Sequence, residues 1–387
     1  VSQTNTPNRP LLRIFAVLLV ELIGFGLIIP VIPYFAEGMG ADSVLVGLLF
    51  AAQYAGQFLT APLWGGLSDR VGRKPVMIVT VALAAVASLL TALSGNLWAL
   101  FGARIFAGLA AGNISTASAY VTDVTSEEDR SKGMAVIGIS FALGFTVGPG
   151  LGAWLSGYGP QVPFFVSVGI SAVNAVLAAV ILREPPHTPQ PKKGRGELWR
   201  MIQAQPTTRV MCGLNLWYTV ALSFLEVPFA FYLASQFQRG TGTYGALMSG
   251  LGVVMILVQG GLVRRLSKKV GDVSMGMVGL GVLAVGMMAA PAVQSLAWLV
   301  VMLVVASLGR GLAQPGMQAV ASKSAKPGEA GLVMGAFQAS ASLGRVFGPA
   351  LGGFIYRLHP PALFWSAGAI LAVCLGAWWS QRRAFVR

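Results

Sequence analysis

Charge is the scarcest ingredient of this sequence. Only 10% of the 387 residues are Asp, Glu, Lys or Arg, against 55% hydrophobic. That is too little polar surface for a water-soluble globule of this size. Cysteine is nearly absent: Cys212 and Cys374 both lie inside apolar runs, which argues against a disulfide framework or a thiolate metal site. No Walker loop, metal cluster or catalytic triad is present, so neither ATP hydrolysis nor covalent chemistry is expected, and no cofactor. Acids are scarcer than bases, 13 against 27, a net charge of +14. Without a basic and aromatic surface module this surplus does not point to nucleic acid. On a membrane protein, bases collect in cytoplasmic loops.

What is abundant is long apolar runs. Twelve of them, at about 11–34, 43–66, 76–95, 97–122, 131–156, 161–183, 208–236, 243–263, 272–291, 295–320, 329–356 and 362–381, are each long enough to cross a ~30 Å hydrocarbon layer. The expected fold class is therefore an all-α polytopic membrane protein with twelve transmembrane helices. The first run is too long for a signal peptide, carries Glu21 at its middle and lacks a small-residue cleavage site. With a cytoplasmic amino terminus, alternate gaps and both tails take most of the bases, while the opposite gaps hold only Arg239 and Arg357. Both termini are therefore expected in the cytoplasm. The polar stretch from Arg183 to Arg209, with Pro185, Pro186, Pro189 and Pro191 beside Lys192, Lys193, Arg195 and Arg200, reads as a linker. It divides the chain into 1–183, a linker 184–207, and 208–387.

Between the second and third runs stands a dense charged turn, Gly65-Gly-Leu-Ser-Asp69-Arg70-Val-Gly72-Arg73-Lys74-Pro75, too polar for hydrocarbon and so a surface loop. Its glycines, single acid and three bases resemble the signature loop of the major facilitator superfamily of transporters. The halves also look like repeats. Gly144-x-x-x-Gly148-Pro149-x-x-Gly152-Ala153 in the fifth run is echoed by Gly344-x-x-x-Gly348-Pro349-x-x-Gly352-Gly353 in the eleventh. The turn has a decayed echo at Gly260-Gly261-Leu262-Val263-Arg264-Arg265, where a base replaces the acid. Two parallel six-helix repeats are the organisation expected of this superfamily.

Glycines at helical spacing let backbones approach closely, and proline removes a helical hydrogen bond, so helix packing is a sufficient reading of either Gly-Pro segment. The copy in the fifth run also resembles the motif of proton-driven exporters in the superfamily, departing only at Ala153. Arg104-x-x-x-Gly108-x-x-x-Gly112 places an arginine and two glycines on one face of the fourth helix. It resembles the basic motif of proton-coupled drug exporters, implying a role in proton transfer; a structural pair with a carbonyl is the alternative.

Two carboxylates lie well inside the runs, Glu21 and Glu226. An intramembrane acid is expensive and can be tuned to load and release a proton. The setting of Glu226 resembles the helix 7 acid of quinolone and multidrug efflux pumps, although those have a helix 10 acid where Arg310 stands nearby here. Glu21, before the glycine-rich run to Pro30, occupies the place of the helix 1 acid of tetracycline exporters. Arg345 replaces the Phe145 of the first repeat and could meet an anionic substrate or lipid phosphate, cap carbonyls, or neutralise Glu226. Gln53, Gln57, Asn113, Asn215, Trp217, Tyr218, Gln314 and Gln338 could line a cavity or simply bond between helices.

The resemblance implies a proton-coupled exporter of lipophilic small molecules in a bacterial inner membrane, working by alternating access as a monomer among membrane lipids, with the proton gradient in place of a cofactor. A lipid or glycolipid flippase, a proton-coupled metabolite transporter and a non-transporting receptor are the alternatives. It also implies a conformational latch in which Arg73 pairs with Asp123, at the end of the fourth run before Thr125-Ser126-Glu127-Glu128-Asp129, and Asp69 faces the start of the eleventh helix. Loss of the acid from the echo suggests a latch confined to the amino-terminal half.

Overall fold

The computed structural model describes residues 9–125, 130–185, 205–325 and 330–385; residues 126–129 and most of the expected linker lie outside these. The described residues form helices and no strand, and the chain is a multi-pass membrane protein. Among the described residues ten helices are long and apolar enough to span a bilayer, and a bent pair makes an eleventh. The 29-residue helix Ala330–Leu358 takes the remaining place, consistent with twelve.

In chain order, α1 is Arg9–Ile28 followed after a break by Ile32–Glu37, α2 is Ser43–Val71, α3 Arg73–Ala92, and α4 Leu97–Ala110 with Asn113–Val124. Next come α5 (Arg130–Ser156), α6 (Val162–Ile181), and α7, formed by Pro206–Glu226 and Pro228–Phe237. The helix α8 starts as Thr241–Leu257 and continues through a π-helical turn, Val258–Leu262, into Val263–Ala289. A positive φ of 79° at Gly271 breaks that last segment, so 263–270 complete α8 and 272–289 form α9. Leu296–Lys323 is α10, Ala330–Leu358 is α11 and Ala362–Phe385 is α12.

The chain condenses into two compact units. One holds Val1–Met39, Ala55–Gln190 and Thr241–Ser249; the other holds Gly40–Tyr54, Pro191–Gly240 and Gly250–Arg387. In the first, α1 packs on α5 and α6, and α3 on α6 and α4. Its core includes Ile14, Leu18, Met77, Tyr120 and Val121. In the second, α7 packs on α11 and α12, and α9 on α10 and α12.

Besides α1, two expected helices are broken. The seventh run reads as continuous over 208–236, yet α7 bends by 43° between Glu226 and Pro228, because proline has no N–H to donate and its ring clashes with the preceding turn. The fourth helix breaks at Ala111, whose ψ of 71° is non-helical. Gly112 therefore does not continue the face of Arg104 and Gly108. A methyl group at Gly112 would strike the Trp64 ring, 2.3 Å from Cγ, and the Trp64 indole donates to the Leu109 carbonyl at 2.8 Å.

The glycine motifs mark close helix crossings. Cβ atoms at Gly144 and Gly148 would fall 2.5 Å from Leu22 and 2.8 Å from Gly26 on α1, and one at Gly152 would fall 1.9 Å from the Leu27 carbonyl. The second copy does the same on α7, where Gly344, Gly348 and Gly352 meet Thr219, Ser223 and the Phe224 carbonyl. Gly152→Val should lower the thermal midpoint in detergent, by the equivalent of about 1–3 kcal/mol or more for an overpacked site. Gly102→Ala, with open space around its Cβ, should leave the midpoint unchanged or raise it slightly.

Candidate functional site

Each of the two intramembrane acids is held by groups from other helices. Glu21 is buried on α1. Its Oε1 accepts from Asn113 Nδ2 at 3.0 Å and its Oε2 from Asn174 Nδ2 at 3.0 Å. Asn113 begins the second segment of α4, so the break at Ala111 delivers this amide to the carboxyl. Asn174 of α6, fully buried and also bonded to the Val17 carbonyl at 3.1 Å, did not stand out in the sequence: a lone Asn in an apolar run has no motif around it. Arg104, also buried, donates to the Thr91 hydroxyl of α3.

Glu226 ends the first segment of α7, directly before the bend. Its Oε1 accepts from the Tyr54 hydroxyl of α2, and the charges of Arg345 on α11 and Arg310 on α10 act on it. Tyr54 was another residue the sequence did not single out. Arg310, Arg345 and Gln338 are exposed while Glu226 and Gln314 are partly so. Arg310 and Gln314 are one turn apart on α10, and Gln338 and Arg345 two turns apart on α11, so each pair shares a helix face. Charged groups at mid-helix persist where they face water or one another, and these residues give α10 and α11 of the second unit an exposed polar surface. Tyr218 is buried facing Arg310.

The remaining expected cavity residues divide. Asn215 is buried and donates to the Phe337 carbonyl at 2.7 Å and to Ser340 Oγ at 3.2 Å, which makes it a bond between α7 and α11. Gln53 is buried, Gln57 is partly buried, and Trp217 is 53% exposed.

The charged turn is a tight network around Arg73. Gly72, at φ 111°, lets the chain reverse between α2 and α3. Arg73 then bonds Asp69 at 2.5 Å, Asp123 at 2.7 Å and Ser68 at 2.7 Å. The expected Arg73–Asp123 pair is present, and Asp69 joins it. Arg70 is exposed, and a Cβ at Gly65 would meet open space. The segment leading into α11, 326–329, lies outside the described residues. Glu184, just past α6, caps the amino-terminal end of α3, its two oxygens accepting from the backbone N–H of Arg73 at 2.5 Å and of Lys74 at 2.9 Å. Anions are stabilised at that helix end.

The echo of this turn is not at Gly260–Arg265. Those residues lie inside the continuing helix α8, and the chain reverses instead at the positive-φ Gly271. The counterpart of Leu67-Ser68-Asp69-Arg70-Val71-Gly72-Arg73 is Leu266-Ser267-Lys268-Lys269-Val270-Gly271-Asp272, with the signs exchanged at the positions of Asp69 and Arg73. Asp272 accepts from Ser267 at 2.6 Å and pairs with Lys323 at the end of α10 at 2.5 Å, as Arg73 pairs with Asp123 at the end of α4. The ion pair is thus present in both halves with opposite polarity, which corrects the expectation of a network confined to the first half.

At the opposite ends of these helices, residues of the two sequence halves touch. A Cβ at Gly47 on α2 would lie 2.4 Å from the Pro349 carbonyl of α11, and one at Gly245 on α8 would lie 2.5 Å from the Pro149 carbonyl of α5. Ser43 Oγ donates to the Gly353 carbonyl at 3.0 Å, and Arg357 pairs with Asp42 at 3.4 Å. The prolines of the two repeated motifs therefore serve a second contact besides the α1–α5 and α7–α11 crossings.

Arg73 is 9% exposed while Lys323 is 74% exposed, which separates their energetic weight. Arg73→Ala should cost about 2–3 kcal/mol, leaving two acids without their cation. Lys323→Ala should cost about 0–1 kcal/mol, and thermal unfolding in detergent compares the two.

The geometry agrees with what the chain resembles. The pattern of the Major Facilitator Superfamily matches residues 14–340 and again 263–386. Multidrug resistance protein 2 of Bacillus subtilis (strain 168) is 31% identical over 382 residues, 94% of each chain. Tetracycline resistance protein, class C, of Escherichia coli is 26% identical over 96% of this chain and 98% of its own. Among solved structures, the human organic anion transporter MFSD10 (TETRAN) superposes with a TM-score of 0.76 at 26% identity, covering 96% of this chain and 100% of that one. A bacterial homolog of the human lysosomal transporter Spinster reaches 0.83 at 16% identity over 100% and 98%, a likeness of fold. With paired six-helix repeats, a glycine-hinged charged turn in each half and acids held inside apolar helices, this transporter chain, which is not an enzyme, belongs to the major facilitator superfamily.

Proposed function

We propose that the chain is a proton-coupled exporter of lipophilic small molecules that works by alternating access in a bacterial inner membrane, with both termini cytoplasmic. The observation that carries this reading is Glu226. A carboxyl at a proline bend in an apolar helix, partly exposed and facing two arginine charges and a tyrosine hydroxyl, is suited to exchange a proton for a solute. Support also comes from the relatives named for multidrug and tetracycline resistance. Glu21, between two amides, is the second proton site, and Arg104, bonded to Thr91, is the basic residue that influences proton transfer. One charge crossing the membrane potential supplies about 2.3 kcal/mol per 100 mV, enough to drive uphill export. The Arg73 network holds one of the two access states, and its counterpart at Asp272 holds the same end of the other half.

A second reading has its own observation: Arg310 and Arg345 are both exposed on the wall that carries Glu226, and one relative is an organic anion transporter. On this reading the solute is an amphipathic anion or a lipid. Displacement of a bound lipophilic cation by an anionic amphiphile, lost in Arg345→Gln, would favour it.

In proteoliposomes with an imposed pH gradient, Glu226→Gln should abolish gradient-driven substrate movement while leaving the melting temperature within a few degrees. Undiminished pumping would remove Glu226 from the mechanism. Glu21→Gln should slow transport at least tenfold, read in the same assay.

A further inference from the structure

The hydroxyl of Tyr54 is bonded to the acid on which the proposed function turns, and it comes from the other sequence half. It lies at the inner end of a stripe on α2 that follows helical spacing, Ser43, Gly47, Phe50 and Tyr54. Along that stripe Ser43 donates to the Gly353 carbonyl, Gly47 lies against Pro349, the Phe50 and Tyr54 rings stand 6.4 Å apart, and Tyr54 reaches Glu226. The residues 40–54 belong to the same compact unit as α7 and α11. Opening this end of the molecule requires the stripe to part from α11 and α7, and the deepest bond that must break ends on a carboxylate.

We infer that Tyr54 is a coupling residue: its bond to Glu226 holds the stripe shut while Glu226 carries neither proton nor substrate. This rests on the proton-exchange role of Glu226 proposed above. A hydrogen bond to a carboxylate is roughly twice as strong as one to a neutral acceptor. Protonation of Glu226 therefore weakens the hold, and a solute that occupies the carboxyl displaces Tyr54 altogether. The charges of Arg345 from α11 and Arg310 from α10 also act on Glu226. The consequence is the rule an antiporter needs. The empty, proton-free carrier stays closed at this end, while the proton-loaded and substrate-loaded carriers cross. The bond at the stripe's outer end, Asp42 with Arg357, is exposed on both sides and is the control for it.

The decisive variant is Tyr54→Phe, which keeps the ring beside Phe50 and removes only the hydroxyl. In substrate-free proteoliposomes carrying an internal pH dye, it should raise proton leak at least threefold over the wild type, because the empty carrier can now return. Adding Glu226→Gln should abolish that leak. Spin labels on the exposed Leu48 and Phe354, introduced as Leu48→Cys and Phe354→Cys, give a readout independent of transport. In the wild type the distance should lengthen as pH falls from 8 to 6. In Tyr54→Phe the long distance should already be populated at pH 8, a shift of roughly tenfold in the closed-to-open ratio. Asp42→Asn should retain the wild-type pH response. A Tyr54→Phe protein with wild-type melting temperature, wild-type leak and an unchanged distance response overturns the inference. Should Glu226→Gln still pump, the exporter reading fails, while the distance measurement on Tyr54→Phe at pH 8 still tests the bolt.

Discussion

Close helix approach at glycine is the constraint on which the rest of this structure depends. Between helices in a bilayer there is no water to expel, so association rests on packing and on hydrogen bonds. The α1–α5 crossing brings Gly148 against Gly26 with no room for a methyl group on either. That approach fixes α1 beside α5 and α6, which is why Asn174 of α6 can reach both the Val17 carbonyl and Glu21. In the second half the α7–α11 crossing places Gly344 and Gly348 against α7, and Arg345, the neighbour of Gly344, is carried toward Glu226 by the same contact.

The two halves share an architecture and differ in charge. Each reverses between its second and third helices at a glycine of positive φ, and each fastens the residue after that glycine to the end of a later helix. Yet one fastener is an arginine between two aspartates and the other an aspartate with a lysine. A pair of opposite charges tolerates exchange of its signs, since the attraction depends on their product. The prolines of the repeats show the same economy: Pro149 and Pro349 lie within their glycine motifs, and their carbonyls meet Gly245 and Gly47.

The polar groups are arranged unevenly. In the first unit Glu21 and Arg104 are buried and tied to amides and a hydroxyl. In the second, Arg310, Arg345 and Gln338 are exposed along one wall. The exposed polar groups of the second unit therefore lie on α10 and α11, while those of the first unit are turned inward to partners on neighbouring helices. Asn215 belongs to neither group. It was an equally good candidate by residue type, but its bonds to Phe337 and Ser340 use its amide in joining two helices.

Twelve spans, the repeat and the Arg73–Asp123 pair were legible in the sequence because each leaves a local mark: an apolar run, a glycine spacing, a charge in a turn. The intramembrane acids were legible too, since a Glu in a run of Leu, Val and Phe has no structural reason of its own. What folding alone decided is who meets those acids. Tyr54, Asn174 and Glu184 lie 172, 153 and 111 residues from their partners, and no local pattern encodes a bond across such a distance. The true place of the second turn was also hidden, because Gly260-Gly261 is the stronger glycine signal by composition, while only the backbone angle at Gly271 shows where the helix ends. Sequence by itself determined the spans and their charges, as both follow from the free energy of placing each residue in lipid or water. Tertiary structure decided the partners, because hydrogen bonds and ion pairs depend on distances that only the packing of helices sets.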